Sequence, residues 1–345
     1  VLDPIGVTAH ILPWNYPLST LARGVAPALA VGATVVAKPS ELTPLSTLMI
    51  AQMAMDAGLP AGAFNVVCGA GDVGEALCRQ RDVAQVTFTG STETGRKIMQ
   101  SASVPVAGVT LELGGKSPVV VLADADLDAV AADVVRGIFF NSGQVCAAGS
   151  RLICERSIHQ ELVEMVKARA NSLTIGHGLD DPDMGPLVSL AQRERVEGFV
   201  ARAKASGLDC VLGGGRANPE TLPRGAFYAP TIFADVPPDA EIVQAEVFGP
   251  VLVTQVCDSA REALELANGT AFGLVAGIYT ADTTRAMRFA RKVEAGQVFV
   301  NGFSQAGDTV PFGGVKQSGI GREKGLAGLS AYCAMKSIIL NHKEQ

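Results

Sequence analysis

In VGATVVAKPSE, Val31 to Glu41, a run of small and β-branched apolar residues stops abruptly at a lysine, a proline, a hydroxyl and a carboxylate. Val31 to Ala37 does not alternate with polar residues, so it reads as a strand buried on both faces. A helix is predicted to start near Pro44. A doubly buried strand that feeds a helix belongs to a doubly wound α/β sheet, where ligands lie beyond the carboxyl ends of the strands. Lys38 with Ser40 and Glu41 sits at such an end. The pair Lys38 and Glu41 can hydrogen-bond ribose hydroxyls there, and a carboxylate would repel a 2′-phosphate, which favours NAD over NADP. A solvated lysine–glutamate pair in a loop fits the same residues.

Upstream, IGVTAHIL, Ile5 to Leu12, is a second apolar run, and it ends at Pro13-Trp14-Asn15-Tyr16-Pro17. The pattern is strand then turn. An amide at the end of a buried strand can donate to a developing oxyanion, worth about 3 kcal/mol in a transition state. Asn15 can equally form an Asx-turn or cap the helix predicted from Leu18 to Leu29. His10, inside the strand with no second metal-type ligand nearby, reads as a core histidine.

Downstream, FNVVC (Phe64 to Cys68) leads into GAGDVG, Gly69 to Gly74, a literal G-x-G-x-x-G with Glu93 about twenty residues further on. VTFTGSTETG, Val86 to Gly95, offers a competing glycine- and hydroxyl-rich turn into a helix. Either helix start can hold a pyrophosphate on its free N–H groups, and spacing does not choose between them. VTLELGGK then carries Glu112 within an apolar strand. Buried, this carboxylate would have a raised pKa and could serve as a general base; on the outer face of an edge strand it would not.

The α/β pattern restarts after Ser117, with a strand over Val119 to Leu122, an acidic turn and a helix. FFNSGQVCAAGSR, Phe139 to Arg151, follows. It sets Cys146 among small, uncharged neighbours, where a substrate carbon can approach a thiolate; a small buried hydrophobe is the alternative. Lys204 to Tyr228 reads as a glycine-rich loop, EVFGP precedes a strand over Val251 to Val256, and Asn301 to Arg322 is a long glycine-punctuated loop with Phe303 and Phe312 as pocket walls.

The chain has 345 residues, enough for two domains. Few aromatics and abundant glycine favour packed α/β layers. A net charge of −6, with no basic run interleaved with aromatics, argues against nucleic acid or an anionic membrane as partner. No apolar stretch is long enough to span a bilayer. The segment at residue 1 opens without a basic leader, so no secretory signal is expected. Seven cysteines without CxxC spacing point to a reducing, cytoplasmic setting, and no metal-ligand cluster is visible.

PWN, KPSE, FTGSTETG, LELGGKSP, GQVCAAGSR, EVFGPV and PFGGVKQSGIGRE together give the chain its resemblance to the NAD(P)-dependent aldehyde dehydrogenase superfamily. The likeness runs from Gly6 to about Leu340. It implies a doubly wound, Rossmann-like cofactor domain over 1–116, a second α/β catalytic domain over 117–319, and a closing segment over 320–345 with a short oligomerisation strand within Ala331 to Asn341. By the same resemblance Cys146 is the nucleophile, Glu112 the general base and Asn15 the oxyanion donor. Lys38, Ser40 and Glu41 fall on the adenosine ribose, Gly90 and Ser91 on the pyrophosphate, and Gly71 near the adenine. Glu246 and Phe248 would hold the nicotinamide ribose and ring, while Ile11, Trp14 and Leu113 line the cofactor cleft.

Tyr16, Val145, Phe303 and Ala306 would face the aldehyde channel, with Arg23 meeting a polar or anionic tail; the small Ala306 leaves room for a medium-sized or aromatic aldehyde. The implied reaction is oxidation of an aldehyde to a carboxylic acid with NAD through a thioester, in a homodimer or homotetramer. A coenzyme A-acylating relative and an inactive remnant serving as a scaffold are the rival readings. Two departures stand out. The family's portion ahead of the PWN strand is not seen, and Gly24 stands where many relatives carry a lysine.

Overall fold

The computed structural model describes residues 1–218, 220–303 and 306–341. In chain order the elements open with β1 (Leu2–Pro4), β2 (Val7–Ile11), α1 (Pro17–Ala30), β3 (Thr34–Lys38), α2 (Leu45–Asp56), β4 (Phe64–Val66), α3 (Gly71–Cys78), β5 (Val83–Thr89), α4 (Thr92–Ala102) and β6 (Gly108–Glu112). A second series follows: β7 (Pro118–Val121), α5 (Leu127–Phe139), β8 (Arg151–Glu155), α6 (Arg156–Asn171), α7 (Leu190–Ala205), β9 (Asp209–Leu212), β10 (Thr231–Ala234), α8 (Glu241–Gln244), β11 (Val251–Cys257) and α9 (Ala260–Asn268). The chain closes with β12 (Phe272–Gly273), β13 (Val275–Tyr279), α10 (Thr283–Lys292), β14 (Gln297–Val300), β15 (Val315–Lys316), β16 (Gly319–Ile320), α11 (Gly325–Ser330) and β17 (Cys333–Met335).

Two compact units emerge. The first holds residues 1–113, 307–313 and 319 onward; the second holds 114–306 and 314–318. Thus the stretch from 320, expected as a separate closing segment, groups with residues 1–113, and its last four residues lie outside the described ones.

The first unit is a six-stranded sheet in the order β16-β6-β5-β2-β3-β4, parallel throughout except for β16. Side chains alternate across the strands, and both faces are apolar. On one face Ala9, Ile11, Val86 and Phe88 pack with Ile98 and Ala102 of α4. On the other, Val35, Ala37 and Phe64 pack with Leu21, Val25 and Ala28 of α1. Helices on both faces make this the doubly wound arrangement that VGATVVAKPSE predicts.

His10 occupies the second face and is fully buried. Its Nε2 lies 2.9 Å from Thr8 Oγ1, and its ring stacks on Tyr332 with centroids 5.6 Å apart. A Cβ at residue 24 would stand 2.5 Å from His10 Nδ1, so glycine is required there. Burial holds the imidazole down to about 3, against 6.5 in an unfolded chain. Stability from the neutral ring is therefore complete above pH 6.5 and is lost as pH falls toward 3, at about 1.4 kcal/mol per unit. Between pH 7 and pH 5, urea unfolding should show His10 costing about 2 kcal/mol, a loss that His10→Leu removes. Equal pH slopes for the two proteins would refute this.

The second unit is a seven-stranded sheet, β14-β13-β7-β8-β11-β10-β9, parallel except where β9 meets β10. Arg151 bolts it from within: its guanidinium donates to the carbonyls of Lys116, Leu266 and Ala267, all at 2.8 Å. The loop expected over Lys204 to Tyr228 also contains the end of α7 and the whole of β9. Those four residues before Gly213 are too few to show a period. The C-terminal strand, expected within Ala331 to Asn341, is confined to Cys333–Met335, where β1 supplies an antiparallel partner in the same chain. No helix among the described residues is long and apolar enough to cross a membrane.

Candidate active site

In the first unit four parallel strands finish level with one another. Ile11 pairs with Lys38 and with Phe88, and Thr89 pairs with Glu112. The carboxyl ends of β3, β2, β5 and β6 thus present Lys38, Ile11, Gly90 and Glu112 side by side, because the glycines and prolines after each strand stop the ladders together. Lys38 is buried, with its ammonium donating to Gly69 O at 2.8 Å and Pro39 O at 3.0 Å, and with Glu41 3.8 Å away. It is not the solvated half of a surface pair, whereas Glu41 is exposed. Ser40 Oγ accepts from Leu42 N.

The two glycine loops differ in their geometry. Gly74 packs on Ile11 and Lys38, while a Cβ at Gly71 would meet nothing within 4 Å. Gly90 is pinned by the Phe88 ring, which a Cβ would approach to 2.4 Å. Ser91 caps α4, accepting from Thr94 N at 3.2 Å. Glu93 pairs with Lys97 on the exposed side of that helix. Trp14 and Asn15 lie in the irregular link from β2 to α1, and the N-cap position falls on Tyr16 rather than Asn15. Leu113 backs α4, where it contacts Gly95.

Glu112 is 2% exposed, and neither of its carboxylate oxygens has a hydrogen-bond partner among the described residues. It does not point outward from an edge. Burial, reinforced by the nearby Glu323 carboxylate, holds it well above the usual carboxylate range, with Arg322 and Arg23 opposing. Burial also pushes Glu323 up to about 7, against Arg23 and Lys324. Arg23, a candidate for a substrate's polar tail, has its guanidinium 3.8 Å from Glu323 and 5.0 Å from the centre of the Phe312 ring.

In the second unit Cys146 is a half-buried cysteine outside any disulfide. Just before it, Asn141, Ser142 and Gly143 take φ values of 51°, 55° and 72°, three left-handed residues in a row. Only one is glycine, so the turn is strained and must be held by its surroundings. Ser142 Oγ donates to Gly185 O at 2.7 Å, and Gln144 Oε1 accepts from Val188 N at 2.8 Å. At Gly143 a Cβ would lie 2.1 Å from Gly249 O, and at Gly115 one would lie 2.6 Å from Cys146 O. The cysteine is aimed by backbone packed on backbone. Ser142 and Gln144 carry no signal of this in the sequence beyond asparagine's tolerance of left-handed backbone at 141.

Glu246 Oε1 accepts from Gly115 N at 3.0 Å. Burial pushes this carboxyl up to about 7, with Gly115 N–H, Lys116 and Arg195 opposing. Phe248 has φ 58°, and its carbonyl accepts from Gln192 Nε2. Phe303 is buried, its ring filling the space left by Gly137, Gly149 and Gly277. Val145 and Ala306 are half-buried. Among the described residues no group of His, Cys, Asp and Glu is arranged to hold a metal.

Comparison with known proteins bears on this arrangement. The sequence model for the Aldehyde dehydrogenase family matches residues 1–338. Betaine aldehyde dehydrogenase of Bacillus subtilis (strain 168) is 43% identical over 346 aligned positions, which take in 99% of this chain and 70% of that protein. A Brucella anthropi betaine aldehyde dehydrogenase is 42% identical over 97% of this chain and 69% of its own length. Among solved structures, a point mutant of Staphylococcus aureus betaine aldehyde dehydrogenase, in complex with NAD+ and with a BME-modified cysteine, superposes with a TM-score of 0.98 at 39% identity, covering 100% of this chain and 71% of that one. An aldehyde dehydrogenase mutant from Bacillus cereus gives a TM-score of 0.97 at 42% identity, over 99% and 70%.

Proposed function

Since the chain belongs to the aldehyde dehydrogenase family, we propose that it oxidises an aldehyde to the carboxylic acid with NAD+, using Cys146 as nucleophile and Glu112 as general base. The observation that carries this reading is the state of Glu112. A carboxyl buried to 2% exposure without a hydrogen bond among the described residues is costly to the fold. Such a group suits proton abstraction near neutrality.

The thiolate of Cys146 adds to the aldehyde carbon, forming a C–S bond and leaving an oxyanion. The Asn15 amide and the Cys146 N–H stabilise that charge. When the oxyanion collapses back to a carbonyl, the C–H bond of the former aldehyde breaks and its hydride must leave, and NAD+, when bound, would be the acceptor. On the sulfur there remains a thioester. Glu112 takes a proton from water, the resulting hydroxide adds to the thioester carbon, the C–S bond breaks, and the acid leaves with the thiolate restored. One aldehyde, one NAD+ and one water give one acid, one NADH and one proton.

The chain's own residues suit a dinucleotide. Lys38 is fixed at a strand end with the acidic Glu41 beside it, Gly71 opens onto free space, and Ser91 begins a helix whose first N–H groups can meet phosphate. Betaine aldehyde, which the relatives' names carry, is the substrate we propose to try first, with an aromatic aldehyde of similar size as competitor. We further propose a homodimer or homotetramer, joined near β17 where Ile338, Ile339 and Leu340 are exposed, in a cytoplasm whose reducing conditions suit seven cysteines outside any disulfide.

NADH formation from aldehyde and NAD+ without coenzyme A tests the reaction. A strict need for coenzyme A would favour the acylating reading. Folded protein that binds NAD+ yet forms no NADH would favour the scaffold.

A further inference from the structure

Lys116 follows the Gly114-Gly115 turn and is 2% exposed, and its ammonium has no hydrogen-bond partner among the described residues. A buried cation left in that condition needs a use. It lines a small pocket whose walls also include Glu246, Phe248, Gly143 and Val145. Across from it, the Glu246 carboxylate lies against the same glycine turn, where a Cβ at residue 114 would come within 2.2 Å of Oε2. The second unit thus places an unpaired ammonium and a carboxylate on one cavity, directly behind the backbone that backs Cys146.

We propose that Lys116 is a positioning residue: its ammonium, acting across the cavity, keeps the Glu246 carboxylate ionised and seated on the Gly114-Gly115 turn, ready to accept hydrogen bonds from the hydroxyls of the cofactor's ribose. This rests on the reading of Glu246 as a cofactor-binding residue. An ionised carboxylate accepts two hydroxyl donors at once; the neutral acid must use one oxygen as a donor and binds a diol less well.

The charges that face the two groups set the direction of the effect. Around Lys116 stand Arg151, which disfavours its charge, and Glu246, which favours it; burial brings the amine down to about 7. Around Glu246 stand Gly115 N–H, Lys116 and Arg195, all favouring ionisation against burial. Arg195 additionally donates to the Glu246 backbone carbonyl at 3.0 Å. Removing the Lys116 charge leaves Arg195, among the described residues, as the remaining cation favouring ionisation, so Glu246 takes up its proton at a higher pH.

Equilibrium NAD+ binding, followed by calorimetry without aldehyde between about pH 6 and pH 9, provides the test. For the wild type, affinity should fall as pH is lowered. Lys116→Met should move that fall upward by about one pH unit, making binding about tenfold weaker near pH 7 and restoring it at high pH. Lys116→Arg should retain the wild-type profile. Glu246→Gln should bind weakly with no pH dependence, and adding Lys116→Met to it should change nothing further. A Lys116→Met protein with the wild-type profile, or one weakened equally at every pH, would overturn the proposal. Where Lys116→Met melts early, Lys116→Gln carries the same expectation and the same refutation. Wild-type protein that binds no NAD+ at all would remove the cofactor reading itself, and the proposal with it; a wild type that binds alongside an unmoved variant would remove the proposal alone.

Discussion

Cys146→Ala is expected to lower turnover of aldehyde by at least about 10⁴-fold while leaving NAD+ affinity and the melting temperature close to wild type. The asymmetry follows from how the residue is held. Its position is set by Gly115 against its carbonyl and by the left-handed turn before it, neither of which involves the sulfur. Losing one half-buried sulfur costs little packing, so on the proposed mechanism what disappears is the nucleophile. Three of the other cysteines are ruled out as substitutes by burial. Cys78 and Cys257 are buried, with thiols pushed up to about 11 and about 12, and Cys154 is pushed up further by burial. Residual NADH formation above about 1% of wild type would show that the sulfur is not the group that attacks.

Glu112→Gln should separate the two halves of the reaction. Attack and NADH formation need no base at 112, whereas hydrolysis does, so one equivalent of NADH per site should appear rapidly and steady turnover should then fall by about 10²- to 10⁴-fold. The amide fills the same space, and it removes a carboxyl that the first unit holds without hydrogen bonds. The variant should therefore resist unfolding at neutral pH as well as the wild type or better. On the proposed mechanism the hydrolytic step needs Glu112 deprotonated, and its pKa is raised by burial and by Glu323. The steady-state rate should rise with pH, and Glu323→Gln, which removes a neighbouring negative charge, should move that rise to lower pH. A Glu112→Gln enzyme that turns over at the wild-type rate would refute the assignment.

The sheet architecture could be read because buried parallel strands leave uninterrupted apolar runs and polar residues mark their ends. Val31 to Ala37 and Ile5 to Leu12 lie on adjacent strands, and their termini present Lys38 and Ile11 in register. What stayed hidden depends on contacts distant in sequence. β15 and β16 are two residues each, too short for any period, and three residues after β15 pairs with β12 the chain returns to pair with β6. Nothing in the composition of residues 307–341 announces that most of them pack with residues 1–113. Glu112 had two readings until its depth was known. Gly24 seemed a missing lysine, yet His10 from the neighbouring strand already occupies the space that a side chain there would need. Lys116 sat in a quoted motif with no job, because the sequence of a lysine does not reveal whether water reaches it.

The turn at Asn141, Ser142 and Gly143 has a consequence for how the chain can change. Since the aim of the sulfur is inherited from main-chain abutments at Gly143 and Gly115, the side chains that ring it are free to be exchanged without spoiling its trajectory. Val145 and Ala147 are half-buried, and what Val145 gives the turn is its carbonyl, which accepts from Ala148 N at 3.0 Å. New aldehyde preferences should therefore arise first by substitution at these flanking positions, whereas the two glycine abutments admit no alternative; the device separates what tunes the enzyme from what makes it one.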